Sequence, residues 1–332
     1  MKRIVESVPN FSEGRDPQFM QAVTKAVESV PGVSLLSLEP DGDYNRVVVT
    51  FVGEPEPVTE AAFQATKTAT ALIDMRTQKG EHPRLGAADV VPFVPVSGVS
   101  MAECVECANV YGKRIADELG IPAYLYEAAA RVPERRNLSN IRKGEYEGLA
   151  ARITDPAWKP DFGKPVFNEK SGATVTGARN FLIAYNVNLN TPDKDIAHQI
   201  ALRIREIGHT VKDAQGNATK FPGTLKNVKA MGVHLDRVNI AQVSINLTNF
   251  HITSPHAAFE EVKRFALELG VEVTGSEVIG LIPKEAILMA GRFYGGDTIK
   301  SEKDLIEIAS KSLGLSQLDP FIPEKKIIEY MI

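Results

Sequence analysis

Apolar positions along the chain recur with two periods in alternation. Residues 4–8 form a short apolar stretch that reads as a strand, and a polar loop follows, Pro9-Asn10-Phe11-Ser12-Glu13-Gly14-Arg15. Asp16-Pro17 has the form of an N-cap followed by proline in the first helical turn, where a missing N–H costs nothing. Phe19, Val23, Ala26 and Val30 then recur at helical spacing until Pro31-Gly32 stops the run. Residues 47–52 are β-branched and aromatic and predict a strand, after which Val58, Ala62, Ala65, Ala69 and Leu72 mark a second amphipathic helix. The loop Lys79-Gly80-Glu81-His82-Pro83-Arg84-Leu85-Gly86 leads to a strand over 89–96, which Pro92 and Pro95 should make irregular or place at an edge. Ser100 and Glu103 have capping-box spacing and open a third helix ending near Gly120, and residues 123–126 read as a returning strand.

The second half repeats this grammar. Strands are expected over 181–189, 241–247, 271–273 and 278–282, with helices starting at Thr191-Pro192 and Ser254-Pro255. We therefore read two similar α/β units, consistent with a degenerate duplication. Between them, residues 131–165 are poor in regular pattern and rich in charge, and a long loop of this kind between two units suits a ligand cleft.

Bulk composition narrows the function. The 332 residues are 43% hydrophobic and 24% charged, enough for a packed core and unlike a disordered chain. A formal net charge of −4 gives no basic footprint for a nucleic-acid partner. No apolar run is long enough to span a bilayer, the N-terminus has no signal-peptide core, and two cysteines offer no disulfide framework. A cytoplasmic protein without a membrane partner is expected.

Few side chains point to chemistry on their own. Cys104 and Cys107 form a CxxC, but they fall in register with Ala108, Tyr111, Ile115 and Leu119, which makes them small core residues of the third helix. None of the six histidines pairs at metal-ligand spacing, so no metal is expected. His82 sits between Glu81 and Pro83-Arg84 in a charged loop, and the proline restrains its backbone. Its ordinary pKa near ~6.5 suits a proton shuttle, although from the residues alone an ordinary exposed loop histidine is the leading account. Ser171, Gly172, Thr174, Thr176 and Gly177 read either as an anion cradle or as a surface turn. Arg46, Arg84 and Arg179 stand at loop or strand-end positions from which a guanidinium could bind a carboxylate.

Several stretches taken together resemble the glutamate formimidoyltransferase family. They are Val8-Pro9-Asn10-Phe11-Ser12-Glu13-Gly14, Asn45-Arg46, Lys79-Gly80-Glu81-His82-Pro83-Arg84, Asp161-Phe162-Gly163, Gly172-Ala173-Thr174-Val175-Thr176-Gly177-Ala178-Arg179 and Ile327-Ile328-Glu329-Tyr330. The resemblance implies an α/β (α+β) fold of two subdomains, 1–180 and 181–332, each a mixed sheet with helices packed on it, enclosing a substrate tunnel and pairing as a homodimer. It implies transfer of a formimino group from N-formimino-L-glutamate to tetrahydrofolate as co-substrate, without a metal, in histidine degradation. In animals the domain is fused to a cyclodeaminase, and this second activity is expected to be absent here.

The same resemblance places the catalytic histidine on His82 and a family aspartate on Glu39, with Asp41 or Asp43 as substitutes. It places the folate-binding segment on Gly163, Lys164, Pro165, Val166, Phe167, Asn168, Glu169, Lys170, Ser171 and Gly172. Asn10, Arg46, Arg84 and Arg179 become candidates for holding substrate. Two other accounts stay open on the sequence: a transferase taking its formyl group from 5-formyltetrahydrofolate, and a folate-binding module without catalysis.

Overall fold

The computed structural model describes residues 3–42, 44–80, 82–212, 216–296, 298 and 301–332 and divides into two units, Met1–Asn180 and Phe181–Ile332. The first contains β1 (Ile4–Ser7), β2 (Asn10–Phe11), α1 (Pro17–Glu28), β3 (Val33–Asp41), β4 (Arg46–Gly53), α2 (Pro55–Leu72), β5 (Ala88–Ser97), α3 (Met101–Leu119), β6 (Ala123–Glu127), the short helices α4 (Leu138–Arg142) and α5 (Glu145–Arg152), and β7 (Thr174–Ala178). The second contains β8 (Ile183–Leu189), α6 (Lys194–Ile204), a β9–β10 ribbon (His209–Lys212 and Ala218–Phe221), β11 (Val228–Leu235), β12 (Ile240–Leu247), α7 (Pro255–Glu268), β13 (Val273–Ile279), α8 (Lys284–Gly295), α9 (Glu302–Ser312) and α10 (Pro323–Lys326).

Both units share one plan. In the second, the sheet runs β11-β12-β8-β13 with every pairing antiparallel. In the first, β3, β4, β1 and β5 pair in the corresponding antiparallel order, and β2 continues the lane of β1 between β4 and β5. Each is thus a βαββαβ unit. The first extends its sheet with β7 and β6, which add parallel to β5 and to each other. The expected mixed pairing therefore holds in the first sheet, while the second is antiparallel throughout.

The amphipathic patterns explain the packing. Asp16 caps α1 through the Gln18 N–H, and α1 buries Phe19, Val23 and Val27 in the core, with the Phe19 ring edge-on to Phe11 of β2. Ser100 and Glu103 complete the capping box of α3, whose buried face carries Cys104, Cys107, Tyr111 and Ile115. Each large side chain so buried contributes roughly 1.5–3 kcal/mol. Burial drives the Cys104 thiol up to about 12, so it is an inert core group as its register suggested. The alternate strand positions, Val90, Tyr124, Tyr126 and Val175, form a second cluster with Ile141, Leu149 and Ile153, so α4 and α5 cover part of the opposite face.

Three expectations need correction. The prolines of β5 do make it irregular, but they do not place it at an edge, for it lies inside the sheet. Pro92 faces the break between β1, which ends at Ser7 opposite Phe93, and β2, which begins at Asn10 opposite Val90. Pro95 lies at the register shift beside Val5. A proline needs no ladder partner at such places. Of the residues read as an anion cradle or a surface turn, Thr174, Thr176 and Gly177 belong to the strand β7, with both edges paired to β5 and β6. The two strands expected over 271–273 and 278–282 are the one strand β13.

Candidate active site

Three of the stretches quoted for the family resemblance, around residues 10–14, 45–46 and 79–87, meet at one end of the first sheet, where β4, β5 and β7 begin. Asn45 ties them together. It adopts φ 49°, a left-handed conformation that asparagine tolerates better than most residues. Its Oδ1 accepts the Gly14 N–H at 3.0 Å and its Nδ2 donates to the Lys79 carbonyl at 2.7 Å. The Gln78 side chain donates to the Asn45 carbonyl at 3.1 Å. Gly80 must be glycine at this crossing, because a Cβ would stand 2.4 Å from the Tyr44 carbonyl oxygen. Ser12 joins through its N–H to the Ala87 carbonyl at 2.9 Å and through its Oγ to the Gly86 carbonyl at 2.8 Å.

His82 emerges from this crossing, its N–H donated to the Tyr44 carbonyl at 3.3 Å. Its side chain is buried, 9% of the residue remaining accessible. Burial first, and then the positive charges of Arg142, Arg46 and Arg84, hold the imidazole down to about 4, with Asp41 acting in the opposite sense. A histidine so placed is neutral at pH 7 and able to accept a proton. It is not the exposed loop residue that the sequence alone favoured.

The other candidates divide. Arg46 and Asn10 are together, with Arg46 Nη1 donating to Asn10 Oδ1 at 3.0 Å. The Arg46 Nε–H is buried and has no acceptor. Arg84 is near His82 but fully engaged. It donates to the Gln78 side chain at 3.0 Å, to Glu145 at 3.0 Å and to Glu147 at 2.9 and 2.7 Å. It clamps the His82 loop to α5 and has no fork left for a ligand. Arg179 follows the far end of β7, roughly 20 Å along the strand from Ala173 at ~3.3 Å per residue. There it contacts Tyr126 and donates to the Asn180 carbonyl at 3.0 Å. Glu39 is exposed on β3 opposite Val48, and among the described residues Asp41 is a carboxylate that acts on His82. Asp43, the remaining acidic candidate, and Glu81 beside His82 lie outside the described residues.

Two residues were missed on the sequence. Asp89 is fully buried at the start of β5 and accepts the Leu85 N–H at 2.8 Å. Arg142, the last residue of α4, pairs with its other carboxylate oxygen. Desolvation raises the Asp89 carboxyl pKa, with Arg142 and the Leu85 N–H opposing. The signal was an aspartate heading an otherwise apolar strand, since a buried carboxylate requires a cation. Arg142 lay in the pattern-poor stretch and could not be matched to it by spacing.

Residues 163–172 run over the surface beside this end of the sheet. Lys164, Pro165 and Val166 are exposed, and Gly163 has φ 88°. Phe167 is half-buried with its ring centroid 5.3 Å from that of Tyr146. Asn168 closes a turn by accepting the Ser171 N–H at 2.9 Å through its side chain and the Gly172 N–H at 2.7 Å through its carbonyl. The Glu169 carbonyl accepts the Tyr146 hydroxyl, and Lys170 Nζ donates to the Ala71 carbonyl at 3.0 Å. The Ser171 carbonyl accepts the Ala87 N–H at 2.9 Å, which fixes the segment to the His82 loop. Among the described residues no three His, Cys, Asp or Glu side chains gather as metal ligands, and no helix is long and apolar enough to cross a membrane.

Comparison with known proteins gives the same organisation. Residues 4–179 match the formiminotransferase domain, N-terminal subdomain, and residues 184–332 match the formiminotransferase domain. The chain is 49% identical to the formimidoyltransferase-cyclodeaminase of Gallus gallus, covering 100% of this chain and 60% of that protein. It therefore spans about three-fifths of the length of that relative. It is 44% identical to the glutamate formimidoyltransferase of Streptococcus pyogenes serotype M1, over 89% of this chain and 94% of the relative. Against the glutamate formimidoyltransferase of Thermoplasma acidophilum the identity is also 44%, over 88% and 92%.

Proposed function

Because the chain belongs to the formiminotransferase family, we propose that it moves the formimino group of N-formimino-L-glutamate to N5 of tetrahydrofolate, releasing L-glutamate. The observation that carries this reading is a buried, neutral His82 among arginines at the crossing of three loops.

The chemistry follows from that state. N5 of the folate attacks the amidine carbon, forming a C–N bond and a tetrahedral centre. The N5 proton passes to the neutral imidazole. The imidazolium then returns a proton to the glutamate nitrogen as its bond to carbon breaks. One histidine serves both steps, a contribution of roughly 10²–10⁴-fold. Asp41, rather than the exposed Glu39, is the carboxylate we assign to steady the imidazolium. Holding the two substrates in contact supplies much of the remaining acceleration. We assign the folate to residues 163–172, tied to the His82 loop through Ser171, and substrate contacts to Asn10 and Arg46. The reading carries with it subdomains 1–180 and 181–332, a homodimer, a cytoplasmic setting and a place in histidine degradation.

Purified protein mixed with tetrahydrofolate and N-formimino-L-glutamate should release L-glutamate and a folate heavier by the formimino group, both followed by mass spectrometry. Bound folate without glutamate release would overturn the proposal.

A further inference from the structure

We infer that Arg142 and Arg46 together seat the α-carboxylate of the amino-acid donor beside His82, an inference that rests on the transferase reading. The donor's own covalent structure requires a carboxylate near the proton-transferring residue. Its α-carboxyl carbon is separated from the amidine carbon by three bonds, no more than about 4 Å. The carboxylates of the folate lie beyond its aminobenzoyl ring, far from N5.

The side chains around His82 match that requirement. Arg142 is held by one arm to Asp89, whose second oxygen is occupied by the Leu85 N–H, so its orientation is fixed from behind. Arg46 is held by one arm to Asn10. In both guanidinium groups the Nε–H is buried and finds no acceptor. A buried donor left unsatisfied is costly, and both of these belong to guanidinium groups whose charges act on His82, which is where an anion would relieve them. Arg84, the third cation acting on His82, is already satisfied by Glu145, Glu147 and Gln78. Asp89 is then a positioning residue that never touches substrate.

Seating a carboxylate here also changes His82. The charges acting on the imidazole are Arg142 on α4, Arg46 on β4, Arg84 on its own loop and Asp41 on β3. An anion between the first two offsets their repulsion and favours the imidazolium, so the acid that protonates the leaving nitrogen forms only with donor in place.

The test compares N-formimino-L-glutamate with 4-(formimidoylamino)butanoate, the same donor without its α-carboxylate. Wild-type protein should discriminate against the shortened donor, and Arg142→Met should raise KM for the full donor by about 10- to 100-fold. It should leave tetrahydrofolate affinity unchanged and abolish the discrimination. Equal losses on both donors, or discrimination that survives, would overturn the inference. Asp89→Asn combined with Arg142→Met removes the stranded carboxylate if the single variant folds poorly, and the same outcomes apply to it. An NMR titration of His82 gives a readout independent of turnover. Saturating L-glutamate should move its pKa upward in wild type and not in Arg142→Met, and an unmoved wild-type pKa counts against the seat. Wild type that responds to L-glutamate but transfers nothing to tetrahydrofolate would sink the reaction and spare the seat. Transfer that Arg142→Met leaves untouched would do the reverse.

Discussion

The two units carry polar clusters of opposite character on the same βαββαβ plan. In the second, Gln242 Nε2 donates to Asn188 at 2.7 Å and to Glu277 at 2.8 Å, while Asn186 donates to Glu277 at 3.2 Å. Asn188 in turn donates to the exposed Gln317, so these groups satisfy one another. In the first, Arg46 and Arg142 each keep a buried N–H without an acceptor, next to a histidine that burial and their charge keep neutral. A self-satisfied network stiffens a sheet, whereas unsatisfied donors and a shifted pKa mark a place built for something not yet bound. The contrast lies in the loops. The second unit's Asn186, Asn188, Gln242 and Glu277 stand inside its strands, but the first brings His82 in from a loop, Arg142 from the short helix α4 and Arg46 from the first residue of a strand.

That contrast can be broken most forcefully at His82. His82→Ala should lower turnover by roughly 10²–10⁴-fold while tetrahydrofolate affinity, measured by fluorescence quenching, stays within a factor of two or so; unchanged turnover would make the cluster structural. The next effect is on stability against pH. His82 has a folded pKa of about 4 against an ordinary 6.5, so it is neutral in both states above pH 6.5 and its effect is absent there. As pH falls from 6.5 toward 4 the unfolded chain takes up a proton that the folded one refuses, and stability drops by on the order of 2–3 kcal/mol. Urea midpoints at pH 7 and 4.5 should show that increment in wild type and not in His82→Gln.

Smaller effects sharpen the comparison. Arg84→Met removes a clamp, not a ligand, and should cost about 2 kcal/mol in the urea midpoint. That is below the usual figure for a broken buried pair because the Glu145 and Glu147 side chains are 43% and 64% exposed. Arg84→Lys should recover little, since a single ammonium cannot reach Gln78 and both carboxylates. In the second unit Gln242→Ala strands an acceptor on Asn188 and should cost roughly 1–2 kcal/mol by the same assay. A larger loss there than at Arg84 would reverse the ranking of the two clusters.

How far the sequence reached depended on whether a signal was local. The caps of α1 and α3, the apolar faces of α1, α2 and α3 and the core position of the cysteines all rest on spacing within one element and were legible, except that Leu72, read onto the face of α2, is exposed. β3 was not, because its positions are mostly half-exposed and show no alternation. α4 and α5 were hidden because each buries a single residue, Ile141 and Leu149. β11 gives a weak signal as well, because only Val228 and Gly232 of its residues are buried. For the site, residues close in sequence, such as His82 and Arg84, could be nominated. What Arg84 binds, where Arg179 ends up and that Asp89 meets Arg142 across 53 positions are properties of the folded chain.

The first sheet also sets an order on synthesis. β1 must lie between β4 and β5, so Ile4–Ser7 has no complete set of partners until Ser97 has been made. At ~5–20 residues per second that is a wait of roughly 5–20 seconds. Asp89 waits for a shorter stretch, the 53 positions to Arg142, but its partner is made later. A nascent chain therefore carries an unpaired N-terminal strand and an uncompensated carboxylate for much of its time on the ribosome. This interval is when a chaperone would have most to hold.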